Sequence, residues 1–192
     1  VIQLKSPLGR YLFEPSLQQG TGWTRPGKLT DKPRIVKGKE RVEVELRFPV
    51  VGERQFLLKV SVRSAVPVFF VTSHLTVLSG PSGQYYYWQS NASSKHYVSP
   101  GERGSEVTNF NVREWDSIEC KDWWFLPGEK GGLAVLPSNA GGRAPGDAGC
   151  VFLHALPKST VLAAGDSLEA AFGLAVVADA PAAAGLSARA RA

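Results

Sequence analysis

With 192 residues, 43% of them hydrophobic and 20% charged, the chain has ordinary globular composition and enough length for one large domain with a buried core, which excludes intrinsic disorder. No apolar run approaches the ~20 residues of a membrane helix, since the longest candidate, Ala163 to Ala184, is broken by Gly165, Asp166, Glu169 and Asp179. The net charge of +5 comes partly from Lys28, Lys32, Arg34, Lys37, Lys39 and Arg41 and partly from Arg189 and Arg191. Neither cluster interleaves aromatic rings with cations as a single-strand nucleic-acid platform does, so neither nucleic acid nor membrane is an expected partner.

The opening VIQLKSPLGR carries no initiator methionine and no signal pattern and reads as the start of a mature chain or an excised domain. Val1 to Phe13 suggests an edge strand, and Pro15 to Pro33, rich in Gly, Pro and Gln, suggests a loop in which Trp23 plugs the end of the fold. From Arg41 onward Val42, Val44, Leu46 and Phe48 alternate with Arg41, Glu43, Glu45 and Arg47. Phe56, Leu58, Val60 and Val62 repeat the pattern, so an antiparallel hairpin is expected, with Glu43, Glu45, Lys59 and Arg63 pairing across its outward face. Val68 to Leu78 is almost continuously apolar and reads as a strand buried on both faces or central in its sheet, with His74 a core residue rather than a base.

Tyr85, Tyr86, Tyr87 and Trp88 follow a Gly80 to Gly83 turn, and four consecutive aromatics on a strand send two to each face. Ser90 to Ser105 reads as a long polar loop containing the glycosylation tripeptide Asn91-Ala92-Ser93 and the adjacent pair His96-Tyr97. The stretch Glu114 to Ser138 holds three of the five tryptophans. Its strand, Pro-Gly turn and second strand, Leu133 to Leu136, make it the hub of the sequence, with Trp115 and Trp123 inward and Trp124 on the opposite face. Pro137 to Gly149 is a glycine-rich loop without the Lys-Ser/Thr ending of a phosphate cradle. Cys150 to Leu156 is a further strand. Gly165-Asp166 signals a hairpin leading into a last strand, Ser167 to Val177. Residues 1–178 are thus expected to form one domain and 179–192 a flexible tail or linker.

Cys120 and Cys150 fit either a disulfide in an oxidising compartment or two separately buried thiols. The three scattered histidines and the absence of a C-x-x-C pattern offer no metal site, and no cofactor is expected.

About ten short strands with no convincing helix amount to an all-β fold, a large antiparallel β-sandwich. The RVEVELRF hairpin, the W-x(7)-WW followed by GGLAVLP, and the closing AAGDSLEAAFGLAVVADA resemble the supersandwich domains of carbohydrate-active enzymes, the galactose mutarotase-like fold of polysaccharide lyases and glycoside hydrolases. The resemblance implies a secreted sandwich, extracellular or periplasmic, that supports or binds polysaccharide beside a catalytic domain outside this chain. The paired catalytic histidines and glutamate of the mutarotases are not found in recognisable surroundings, which speaks against catalysis by this chain alone.

Sugar rings stack their C–H faces on exposed aromatic rings. Tyr87, Trp88 and Trp124 are the expected stacking residues, with His96 and Tyr97 as a possible base and partner for a lyase. Glu114 and Asp116 are the minority choice for a glycosidase pair. The competing readings are a structural or protein-interaction sandwich without sugar affinity and a sugar-active lyase or hydrolase in its own right.

Overall fold

The alternation in Arg41 to Arg63 becomes two paired strands in the computed structural model. The structure describes residues 2–19, 22–24, 26–29, 31–50, 53–79, 82–92, 94, 96–109, 118–119, 122–137, 140–143, 151–155 and 160–191.

In chain order β1 (Ile2–Ser6), β2 (Gly9–Gln19) and β3 (Gly22–Thr24) enter one sheet, and β4 (Arg34–Lys37), β5 (Arg41–Arg47), β6 (Arg54–Arg63) and β7 (Val66–Val77) enter a second. The chain then shuttles. β8 (Ser82–Ser90) returns to the first sheet, while β9 (His96–Gly101) and β10 (Gly104–Asn109) join the second. β11 (Ile118–Glu119) lies in the first, and β12 (Trp124–Pro127) and β13 (Gly132–Pro137) in the second. β14 (Ala140–Arg143), β15 (Val151–Ala155) and β16 (Thr160–Leu162) belong to the first, and β17 (Ser167–Val177) to the second, before α1 (Ala180–Arg191).

The eight-stranded sheet runs β1-β2-β8-β15-β14-β11, with β3 beside β2 and β16 beside β8; the nine-stranded sheet runs β10-β9-β12-β13-β17-β7-β6-β5-β4. The ladders among the described residues are antiparallel, for example Val42↔Val62 and Leu46↔Leu58 between β5 and β6. The expected all-β sandwich is therefore the fold found.

The nine-stranded sheet buries both faces over part of its width, because successive side chains of a strand point in opposite directions. Phe56, Leu58, Val71, Leu75, Trp124, Leu126, Leu133, Val135, Phe172 and Leu174 face the eight-stranded sheet and meet Leu4, Tyr11, Phe13 and Trp88 from it. The intervening residues Val66, Val68, Trp123, Phe125, Ala134, Leu136, Ala175 and Val177 form a second cluster under Ala183 and Leu186 of α1.

This corrects the expectation of a tail: residues 180–191 are a docked helix. Asp179 caps it, accepting a hydrogen bond at Oδ1 from the Ala182 N–H at 2.9 Å. Pro181 is tolerated in the first turn, and Arg189 and Arg191 sit where the helix dipole favours cations. Ser187 Oγ donates to Asp122 Oδ1 at 2.9 Å, and Arg191 pairs with the same carboxylate, so the end of the chain is tied to the start of the β12–β13 hairpin. Small size and a short apolar stripe hid this helix in the sequence, since alanines pack closely on a sheet whose outer face is already apolar.

Three other expectations are corrected. Ser90 to Ser105 is mostly the β9–β10 hairpin, with Val98 opposite Val107. Gly165-Asp166 does not close a hairpin, because β16 pairs β8 while β17 pairs β7 and β13. It is instead the turn by which the chain changes sheets. Gly165 there adopts a φ of 92°, a conformation that favours glycine. β7 is central in its sheet, between β17 and β6, but not buried on both faces throughout: Val71, Ser73, Leu75 and Val77 point to the inter-sheet core, whereas Thr72, His74 and Thr76 are only half-buried on the outer face. Cys120 and Cys150, with Trp115, Glu114 and Asp116, lie outside the described residues, and so does the side chain of Trp23.

Leu186→Ala is expected to cost about 2–3 kcal/mol by opening a cavity under α1. Urea unfolding checks this, and a change below a few tenths of a kcal/mol would show that the helix does not carry the second core.

Candidate functional site

The expected stacking tryptophans are structural. Trp88, on β8, has no exposed surface, and its ring packs edge-on against Phe172 and tilted against Phe56, with centroids 5.9 and 6.2 Å away. Its Nε1–H donates to Ser73 Oγ at 3.1 Å, and Ser73 Oγ donates to the Ala170 carbonyl at 3.3 Å. Trp124 is equally enclosed, with its ring 4.9 Å from that of buried Tyr97. A ring without exposed surface has no face to offer a sugar, so burial overturns the reading of Trp88 and Trp124 as open platforms. Trp123, expected in the core, is buried there.

His96 and Tyr97 are consecutive on β9 and so stand on opposite faces of the sheet. Tyr97 joins the inter-sheet core and His96 is half-buried. Their adjacency in sequence does not make an acid–base pair. Tyr87 lies on β8 opposite Ser16 and His154, and its side chain is outside the described structure. Burial pushes the Tyr11 phenol above its usual value, but that residue also belongs to the inter-sheet core.

Polar side chains collect instead on the outer face of the nine-stranded sheet, on the part that α1 leaves open. Antiparallel register lines them up in rows across four strands. Arg47, Leu57, His74 and Glu169 form one row, Glu45, Lys59, Thr72 and Ala171 the next, and Gln55, Thr76 and Ser167 flank the first on its other side. Between them lies an open trough of about 360 Å³ lined by Arg47, Gln55, Leu57, Lys59, His74, Thr76 and Ser167.

Its charges are paired. His74 Nδ1 is 3.3 Å from Glu169 Oε2, Lys59 Nζ is 3.7 Å from Glu45 Oε2, and Arg47 Nε is 3.4 Å from Glu45 Oε1. The Glu45–Lys59 pair is one of the cross-hairpin contacts the sequence suggested. Such exposed pairs add only ~0–1 kcal/mol each to stability. Their consequence is local: a carboxylate stands beside each basic side chain of the trough, Glu45 beside Arg47 and Lys59 and Glu169 beside His74. The trough therefore presents hydrogen-bond donors with carboxylate acceptors at its edge.

His74 is the residue that sequence reading placed wrongly. Val68 to Leu78 reads as almost continuously apolar, which assigns His74 to the core, whereas only the alternate residues Val71, Ser73, Leu75 and Val77 are buried from Val71 on. The usable signal was Thr72, His74 and Thr76 at every second position.

Ser73→Ala would leave the Trp88 N–H buried without its acceptor and is expected to cost about 1–3 kcal/mol in denaturant unfolding. Unchanged stability would mean that the indole finds another partner.

No family model and no curated protein matches the sequence. Solved structures do. The GH36 α-galactosidase AgaA from Geobacillus stearothermophilus superposes with a TM-score of 0.54 at 12% identity, covering 91% of this chain and 30% of that one. The galactosidase domain of the α-galactosidase–sucrose kinase AgaSK gives a TM-score of 0.51 at 16% identity, over 90% of this chain and 28% of that one. A putative aldose 1-epimerase from Escherichia coli K12, at 12% identity over 84% of this chain and 78% of that one, has a TM-score of 0.35, too distant to bear on the site. The chain spans about three tenths of the length of the α-galactosidases it matches. At such identities the likeness is one of architecture, a large two-sheet antiparallel sandwich, and it agrees with the fold implied by the resemblance of the β5–β6 hairpin and the closing strand.

Proposed function

We propose that this supersandwich is the carbohydrate-facing part of a larger, exported carbohydrate-active protein and binds a neutral saccharide in the outer-face trough, beside a catalytic domain outside this chain. The observation that carries the reading is the trough itself. Its hydroxyl, amide, imidazole and ammonium groups are arrayed at strand spacing, and its basic side chains each have a carboxylate beside them. Saccharide hydroxyls both donate and accept, and a lining of Arg47, Gln55, Lys59, His74, Thr76 and Ser167 meets both needs. The α-galactosidases of the same fold support the setting, since there too the matched part is a minor share of the chain.

A hydrolase acting from this trough alone is disfavoured by distance. Glu45 and Glu169 are on β5 and β17, separated by β6 and β7. Three inter-strand steps put their backbones about 14 Å apart, and each carboxylate is turned to a basic side chain, Glu45 to Arg47 and Lys59 and Glu169 to His74. Binding, not bond cleavage, is the chemistry this geometry favours.

Calorimetric titration with neutral and with uronic-acid oligosaccharides, at low and at high salt, tests the proposal. A neutral glycan should bind with an affinity that salt leaves nearly unchanged, and Lys59→Ala and His74→Ala should each weaken it about ten-fold, or ~1.4 kcal/mol. Binding of acidic glycans alone, collapsing with salt, would contradict the charge argument. Silence across all glycans would favour a sandwich that serves only structure.

A further inference from the structure

A second cavity opens on the other face of the nine-stranded sheet, between the two sheets where β1 and β2 confront β5 and β6. It has a volume of about 350 Å³, within the size range of small-molecule pockets, and opens to solvent beside the exposed Lys28 and Leu29. Ile2, Pro15, Leu46, Phe48 and Leu58 line it, Trp88 backs its floor, and residues 26–29 line it as well.

Water is poorly served there. A volume of this size would hold on the order of ten water molecules, each needing two to four polar partners, and most of the lining is aliphatic or aromatic. The one polar group of Trp88 is already engaged by Ser73. An ion would fare worse, because the charged residues among the lining, Glu14 and Lys28, are of opposite sign and Lys28 is exposed. An apolar guest, by contrast, gains dispersion contacts with Ile2, Pro15, Leu46, Phe48 and Leu58.

The wall also selects shape. Phe48, which lines the cavity, is 5.2 Å from Phe56 in a tilted arrangement, and Phe56 is 6.2 Å from Trp88. This run of tilted rings continues naturally into an edge-to-face contact with one more aromatic ring.

From these observations we infer that the inter-sheet cavity is a binding site for a small uncharged aromatic molecule of one or two fused rings. The site is separate from the saccharide trough, since Leu46 and Leu58 point inward while Arg47, Leu57 and Lys59 line the outer face.

Calorimetry with 2-naphthol on the full chain should give saturable one-site binding, and methyl-labelled protein should show intermolecular nuclear Overhauser effects from the probe to Leu46 and Leu58. Leu46→Trp, which fills the space, should weaken binding at least ten-fold while thermal unfolding still shows a folded protein. The anion 2-naphthoate should bind at least ten-fold more weakly than 2-naphthol. If Leu46→Trp does not fold, the Overhauser contacts in the unsubstituted protein decide the matter. No saturable binding, contacts only to other residues, a folded Leu46→Trp that binds unchanged, or equal affinity for the anion would each overturn the inference.

Discussion

The hydrogen-bonded link from Trp88 through Ser73 to Ala170 ties the two sheets at the centre of the sandwich. Trp88 belongs to the eight-stranded sheet, Ser73 and Ala170 to adjacent strands of the nine-stranded one. A large ring brought to the middle of a sandwich must bury its N–H, and a buried donor without a partner costs more than the bond contributes when made. A serine at an otherwise apolar inward position of β7 resolves this. Its place fixes the parity of the strand, so that Thr72, His74 and Thr76 turn outward. Register then carries that parity to β6, β5 and β17, and the composition of the open trough follows from how the core is satisfied.

The outer face of the nine-stranded sheet is divided between two uses. Toward β12 and β13 it is apolar and covered by α1, with Asp122 holding the helix end. Toward β5 and β6 it is polar and open. A helix lying further across the sheet would have buried Lys59 and His74, at a desolvation cost that alanine packing could not offset. The helix therefore stops where polarity begins, and the boundary runs along β7, whose outer face changes from Val66, Val68 and Phe70 to Thr72, His74 and Thr76.

Much of this architecture was legible in the sequence. The β5–β6 and β12–β13 hairpins and the closing strand β17 carry their period-two pattern over many residues, and one buried face suffices to fix it. The site was less legible, because aromatic residues mark cores and ligand platforms alike. Trp88 and Trp124 read as candidates for stacking only while their neighbours were unknown; Phe56, Phe172 and Tyr97, distant in sequence, enclose them. The trough draws on four strands, and His74 and Glu169, almost a hundred positions apart, become partners only through the β7–β17 register. Helix α1 escaped notice for a related reason: its stability comes from the surface on which it docks, and Ala183 and Leu186 alone make too short a stripe.

The central claim is that the tryptophans hold the fold while the outer face of β5, β6, β7 and β17 meets the ligand. Backbone amide shifts of isotopically labelled protein, recorded during titration with neutral oligosaccharides, test it most directly. The account requires the perturbed amides to cluster at Arg47, Gln55 to Lys59, Thr72 to Thr76 and Ser167 to Glu169, with Trp88 and Trp124 unmoved. Perturbations centred on β8 or on the β9–β12 side of the sandwich would contradict it.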